Sequence, residues 1–252
     1  MSQSRTMIVA HRGASAIEAE NTLPAFEAAL AAGADAVEFD VRLTSEGVPV
    51  VMHDPDVSRT TDGAGLVRDM TLAEIKRLAI RTASGGSTEV PTLAEALSCL
   101  SGRAAADIEI KNIPGEPDFD PDRERVVEAI VAALDGAEDD VLLSSFNPFS
   151  LAKARELAPG VITGLLTGQG VDAGAAMGFA RERGDAWILP FVEEVLGAGD
   201  PFIEEAHGAG LLVGTWIVDD PDLAAALMLK GIDALATNDP ARIVAARASA
   251  FG

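Results

Sequence analysis

The sequence predicts a (β/α)8 TIM barrel. Three observations lead there: eight short β-branched runs, helix-like sequence after each of them, and a length of 252 residues, which is typical of one such barrel. The runs are MIVA from Met7, AVEFDV from Ala36, ADIEI from Ala106, DVLLSS from Asp140, VITGLL from Val161, WILP from Trp187, LLVGTW from Leu211 and ALAT from Ala234.

Taken in chain order, the first run leads directly into His11-Arg12-Gly13, and apolar spacing predicts a helix over Leu23 to Ala32. The second run carries Glu38 and Asp40 inside apolar sequence. A turn at Glu46-Gly47 then folds Val48 to Met52 back along Ala36 to Val41, which sets His53 opposite Asp40, give or take one register step. From Asp54 to about residue 90 the chain is polar and glycine-bearing, and only briefly helical around Leu72 to Leu78. Some 35 residues without a barrel element predict an insertion over the barrel mouth, with a lid or specificity role. A helix begins near Thr92, within which Cys99 is expected to be a buried core thiol.

The remaining units repeat the rhythm, with helices expected over Asp122 to Leu134, Phe149 to Leu157, Ala173 to Arg183, Phe202 to His207, Leu223 to Leu229 and Ala241 to Ala248. Asn147-Pro148, Asp200-Pro201, Asp220-Pro221 and Asp239-Pro240 each offer a capping side chain followed by proline at the first helical position. Gly33, Gly184 and Gly231 end helices, and Asp35, Asp185 and Asp233 follow at strand starts, where a structural role is expected. His207 sits near a helix end and suits a dipole contact there.

Composition narrows the function. Forty acidic residues against nineteen basic give a net charge of -21, which repels nucleic-acid phosphates and anionic membranes. The start, MSQSRTMIVAHRG, lacks a signal-peptide apolar core, and no stretch reaches the roughly 18 apolar residues needed to span a bilayer. A cytoplasmic protein is expected, with no nucleic-acid partner and an oligomeric state that the sequence leaves open.

Strand alternation supplies the chemistry. Val37, Phe39 and Val41 face one way, while Glu38 and Asp40 face the other; Ile108 and Ile110 likewise leave Asp107, Glu109 and Lys111 facing inward. Charged groups are costly to bury unless paired or metal-bound, so Glu38, Asp40 and Glu109 are candidate oxygen ligands for Mg²⁺ or Ca²⁺. The competing reading is an ion network with Arg12, Arg42 and Lys111. His11 and His53 converge on the same rim. Arg12 and Lys111 suit a phosphate, and two imidazoles beside it suit a general acid and a general base. Another metal-dependent phosphodiesterase or phospholipase-like barrel, an enolate-stabilising barrel, and a noncatalytic barrel that binds phosphate esters or partner proteins remain as alternatives.

These residues resemble the glycerophosphodiester phosphodiesterase family. The resemblance rests on His11-Arg12-Gly13, Glu20-Asn21-Thr22, Glu38-Phe39-Asp40-Val41, His53-Asp54, Pro91-Thr92-Leu93, Glu109-Ile110-Lys111, Ser144-Ser145-Phe146 and Thr215-Trp216, in that order along the chain. It implies a barrel with a small insertion after the second strand unit, and hydrolysis of glycerophosphodiesters to glycerol 3-phosphate and an alcohol. By the same resemblance Glu38, Asp40 and Glu109 bind a divalent metal, His11 and His53 are the acid/base pair, and Arg12 and Lys111 hold phosphate. Glu20 would lie near the metal or Arg12, and Trp216 would wall the glycerol pocket. Two positions depart from the family pattern: Asn238, where aspartate is usual, and Asp219, where asparagine is common. Both are expected to bear on substrate choice more than on chemistry. Direct attack by water and prior attack by the glycerol 2-hydroxyl are both compatible with these residue types.

Overall fold

The computed structural model describes residues 5–134 and 140–251. Residues 1–4, the start of the N-terminal stretch considered above, lie outside the described residues. In chain order the elements are β1 (Met7–His11), α1 (Leu23–Ala31), β2 (Ala36–Leu43), β3 (Pro49–Val51), α2 (Leu72–Ile75), β4 (Ile80–Arg81), β5 (Ser87–Thr88) and α3 (Leu93–Leu100). They continue with β6 (Ala105–Ile110), α4 (Arg125–Leu134), β7 (Val141–Ser145), α5 (Pro148–Leu157), β8 (Ile162–Thr167), α6 (Ala173–Arg183), β9 (Trp187–Pro190) and α7 (Val192–Ala198). The last four are α8 (Phe202–Gly208), β10 (Leu212–Thr215), α9 (Pro221–Leu229), β11 (Ala234–Thr237), with α10 (Pro240–Phe251) closing the chain.

Eight parallel strands close into a barrel in the order β1, β2, β6, β7, β8, β9, β10, β11 and back to β1. Their outward residues, among them Val37, Phe39, Ile108 and Leu143, are fully buried against the helical ring. Parallel register sets His11 beside Glu38, Glu38 beside Asp107 and Asp40 beside Glu109. The acids of two strands thus occupy successive inward-facing levels near the C-terminal rim.

The hairpin forms, but its pairing is confined to the far end of β2. Val41, Arg42 and Leu43 pair with Val51, Val50 and Pro49, and Met52 N–H donates to the Asp40 carbonyl at 2.9 Å. Met52, not His53, therefore lies opposite Asp40, which is the one-step margin the turn allows. The segment that follows builds its own small core from Val50, Met52, Val57, Val67, Ile75, Ile80 and Val90. Its brief helix, α2, is capped reciprocally by Thr71 and Glu74, and β4 and β5 add a two-stranded ribbon.

Several local expectations need correction. Asp200 does not cap α8: Pro201 occupies the cap position, and Asp200 pairs with Lys230 at 2.7 Å. Asn147 and Asp220 do cap α5 and α9, and Asp239 accepts from Arg242 N–H at 3.2 Å in the first turn of α10. Cys99 is half-buried, because Leu93, Ala96 and Leu100 define the core face of α3 and the thiol lies beside it, 3.6 Å from Glu27. The helix expected from Asp122 starts at Arg125, after Glu124 at φ 52°. Helix α7 adds an element between β9 and β10 beyond the helices that the apolar spacing predicts.

The strand-start aspartates are structural. Asp35 accepts from Ile8 N–H and pairs with Arg247, Asp185 joins Arg155 and Thr163, and Asp233 accepts from Val213 N–H and contacts His207 at 2.6 Å. Among the described residues no helix is long and apolar enough to cross a membrane.

Candidate active site

The site is assembled first by backbone. Arg12 adopts a left-handed conformation at φ 56°, uncommon for a residue with a side chain, and this turns its N–H toward Glu38 Oε2 at 2.9 Å. Its carbonyl accepts from Asn21 N–H at 3.0 Å, and Asn21 is itself left-handed at φ 58°. Gly13, at φ 81°, completes the turn. A Cβ there would meet Ala25 backbone atoms at 2.7 Å, so only glycine lets α1 approach this closely.

Glu38, Asp40 and Glu109 are buried, and one oxygen from each lies within 4.8 Å of the others. Two cations serve these three carboxylates. Arg12 Nε is 3.2 Å from Asp40, while Lys111 Nζ is 2.9 Å from Asp40 and 2.5 Å from Glu109. Arg42 takes no part, since it turns to Glu116, Asp118 and the His53 carbonyl. The charge balance is visible in the acidities. Burial, then the charges of Asp40 and Glu109, push the Glu38 carboxyl well above its usual range. Burial likewise raises Glu109 to about 7 even against the attraction of Lys111. Asp40 pays the same burial, but Lys111 and Arg12 outweigh it and hold its carboxyl well below the usual range.

An all-oxygen donor set with more negative than positive charge fits a hard divalent cation. Glu38 Oε1 strengthens the fit: it is buried and has no hydrogen-bond partner among the described residues. Asn21 Nδ2 donates to Asp40 Oδ2 at 2.7 Å and orients that carboxylate.

The two histidines reach the same cavity, of about 430 Å³, which Arg12, Glu38, Glu109 and Lys111 also line. His11 ends β1, with Nε2 4.0 Å from Glu38 Oε2 and Nδ1 2.8 Å from Asn238 Oδ1. His53 has Nδ1 2.5 Å from Asp54 Oδ1. Burial, joined by Arg12 for His11 and by Lys111 and Arg12 for His53, lowers both imidazoles below their ordinary value despite carboxylates nearby. Both are thereby biased toward the neutral form.

Glu20 lies beside Arg12, at 3.0 Å, and also beside Arg59, at 2.7 Å. Arg59 in turn pairs with Asp54, whose carboxyl falls to about 2: burial opposes ionisation, and hydrogen bonds from Arg59 and His53 overcome it. Residue 59 of the 54–90 segment is thus linked to His53 on one side and to Arg12 on the other. Trp216 lines the cavity and also packs edge-on against Phe146 and Phe191, with centroids 5.6 and 5.1 Å away. Its indole N–H donates to the Leu189 carbonyl at 3.0 Å.

All nine residues singled out in the sequence therefore meet at one rim. The structure adds Arg59, which carried no local signal of its role. It also gives contacts to Asn21 and Asp54, quoted in the sequence only as motif members, and to Asp219 and Asn238, quoted only as departures from the family pattern. Asp107, inward as alternation predicts, sits next to the acids. Burial raises it to about 7, partly offset by the Ser144 hydroxyl donating at 2.6 Å.

Residues 11–242 match the model of the glycerophosphoryl diester phosphodiesterase family. A glycerophosphodiester phosphodiesterase of Caldanaerobacter subterraneus is 34% identical over 95% of this chain and 97% of its own length. Among solved structures, an Oleispira antarctica phosphodiesterase in complex with the product sn-glycerol-3-phosphate superposes with a TM-score of 0.83 at 30% identity, covering 95% of this chain and 96% of that one. A glycerophosphodiester phosphodiesterase of Agrobacterium tumefaciens gives 0.79 at 27% identity, over 95% and 99% of the two chains.

Proposed function

This chain belongs to the glycerophosphoryl diester phosphodiesterase family and is a glycerophosphodiester phosphodiesterase, and from that premise we propose how its rim residues divide the reaction. Glu38, Asp40 and Glu109 hold a divalent cation, Mg²⁺ or Ca²⁺, His11 and His53 are the acid/base pair, and the products are glycerol 3-phosphate and a free alcohol. The observation that carries the reading is the meeting of three buried carboxylates, short of positive charge, with two imidazoles in one cavity. The product named for the Oleispira relative supports the glycerol 3-phosphate assignment.

A cation held there would draw electron density from the phosphoryl oxygens and stabilise the charge that grows on them. The remaining work falls to the chain. Arg12 and Lys111 add fixed positive charge at the rim and orient the phosphate. One imidazole takes a proton from the attacking oxygen and the other gives one to the leaving alcohol, each worth roughly 10²- to 10⁴-fold. Trp216 offers an apolar wall for the glycerol carbons, and its packing against Phe146 and Phe191 keeps that wall rigid. The insertion, residues 54–90, forms part of the rim through Arg59 and shapes the space for the alcohol moiety.

An assay of glycerophosphocholine, glycerophosphoethanolamine and related diesters, with added Mg²⁺, Ca²⁺ or chelator, tests the reading. Release of glycerol 3-phosphate that chelator abolishes and one of the two ions restores is expected. Undiminished turnover in chelator would remove the cation from the scheme.

A further inference from the structure

We infer that Asp219 and Asn238 are positioning residues that fix the tautomer of His11, so that Nδ1 carries the proton and Nε2 presents its lone pair to the site. The geometry is a chain of three side chains brought together from both ends of the sequence. Asp219 follows β10, Asn238 follows β11, and His11 ends β1, the neighbouring strand.

Hydrogen-bond logic sets every orientation. Asp219 Oδ1 accepts from Asn238 N–H at 2.7 Å and from the Thr237 hydroxyl at 2.7 Å. Its other oxygen lies 2.8 Å from the Asn238 side-chain nitrogen. A carboxylate only accepts, so the group facing it must be the NH2 of the asparagine. The carboxamide oxygen is then forced to the opposite side, where it lies 2.8 Å from His11 Nδ1. An amide oxygen only accepts, so Nδ1 must be the protonated nitrogen. What remains is Nε2, which points toward Glu38 Oε2, 4.0 Å away. Ser15 Oγ braces the same corner, 2.8 Å from the His11 carbonyl and 3.0 Å from Asn238 Oδ1.

The two residues were expected to bear on substrate choice. Their contacts instead direct them to the first histidine. His53 is oriented differently, by the carboxylate of Asp54. Fixing a histidine's tautomer through its second nitrogen is a general means of preparing the first for proton transfer. The inference rests on the acid/base role of His11 proposed above, and the experiment separates the two.

Asp219→Asn is the informative variant because it is isosteric. Asparagine at 219 can keep one acceptor on Thr237 and the Asn238 backbone, but it then turns an NH2 toward the NH2 of Asn238. The Asn238 carboxamide flips to escape this, presents a donor to His11 Nδ1, and moves the imidazole proton to Nε2. Adding Asn238→Asp restores an acceptor toward both neighbours and so restores the original tautomer. The chain has only three histidines, so long-range nitrogen-proton spectra of ¹⁵N-histidine-labelled protein, assigned with His11→Ala, read the tautomer directly.

The expected result with Mg²⁺ present is Nδ1–H in the parent, Nε2–H in Asp219→Asn, and Nδ1–H again in the double variant. Glycerophosphodiester kcat should fall about 10-fold or more in the single variant with KM within about 3-fold, and the double variant should recover most of the loss. Nδ1–H retained in Asp219→Asn, or no recovery in the double variant, would overturn the inference. Turnover retained in His11→Ala would instead overturn the acid/base reading, while the tautomer of Asp219→Asn would still decide the positioning chain. If Asp219→Asn fails to fold, Asn238→Ala replaces it: a single Nδ1–H species surviving the loss of the acceptor would overturn the inference equally.

Discussion

Asn21 Nδ2 donates to Asp40 Oδ2 at 2.7 Å, and Asn21 Oδ1 accepts from the Asp40 backbone N–H at 3.3 Å, so one carboxamide grips both ends of a fully buried aspartate. Removing this grip should be felt at the cation, because partners that orient a ligand typically carry 10- to 100-fold of metal affinity. Asn21→Ala is expected to weaken Mg²⁺ or Ca²⁺ binding by about that factor in calorimetric titration and to lower Tm. An unchanged isotherm would detach Asp40 from the ion.

His11→Ala should cut turnover by about 10²-fold or more while calorimetric metal affinity stays close to that of the parent. The imidazole lies 4.0 Å from Glu38 and is proposed as a proton carrier, not as a ligand. Equal loss of turnover and of metal binding would argue for a ligand role instead.

Glu109→Gln keeps the shape of the side chain and removes one negative charge beside Lys111. Metal titration should show weaker binding, since a neutral amide oxygen attracts a divalent cation less than a carboxylate does. In the cation-free protein the same change should cost little or even stabilise, because burial already raises the pKa of the Glu109 carboxyl to about 7. Thermal melts at pH 8 in chelator provide that comparison.

Arg59→Ala tests how the 54–90 segment is held to the site. The guanidinium pairs with Asp54 and Glu20, and both carboxyls are lowered, Asp54 to about 2. A lowered acid contributes stability that is complete above its unfolded value, near 4, and disappears as pH falls through the folded value. The stability gap between parent and Arg59→Ala should therefore be constant above about pH 5 and close between about pH 4 and 2. Arg59 is half-exposed, so the gap should be small, on the order of 1 kcal/mol. Hydrogen exchange should be faster in residues 54–90 of the variant at neutral pH.

What could be read from the chain and what could not divide along one physical line. Period-two alternation is local, so the inward set of Glu38, Asp40, Asp107, Glu109 and Lys111 followed directly from strand geometry, as did the outward set around Phe39 and Ile108. The hairpin turn fixed His53 to within one step, and the observed pairing of Met52 with Asp40 used that step. The chemistry of Asn21, Arg59, Asp219 and Asn238 was not legible. Each acts on a partner it meets only after closure: Arg59 reaches Glu20 across 39 positions, and Asn238 reaches His11 across 227. Cys99 and Asp200 failed for a smaller reason, because the apolar spacing and Asp-Pro pattern that suggested their roles are necessary for a core position or a cap without being sufficient.

Val50 and Met52 belong to the small core of the insertion, yet Val50 lies within β3 and Met52 directly follows it, on the strand that delivers His53 to the barrel rim. Replacing residues 54–90 with a short linker would thus not yield a simpler working enzyme. It would strip the packing from one side of the arm that carries an imidazole.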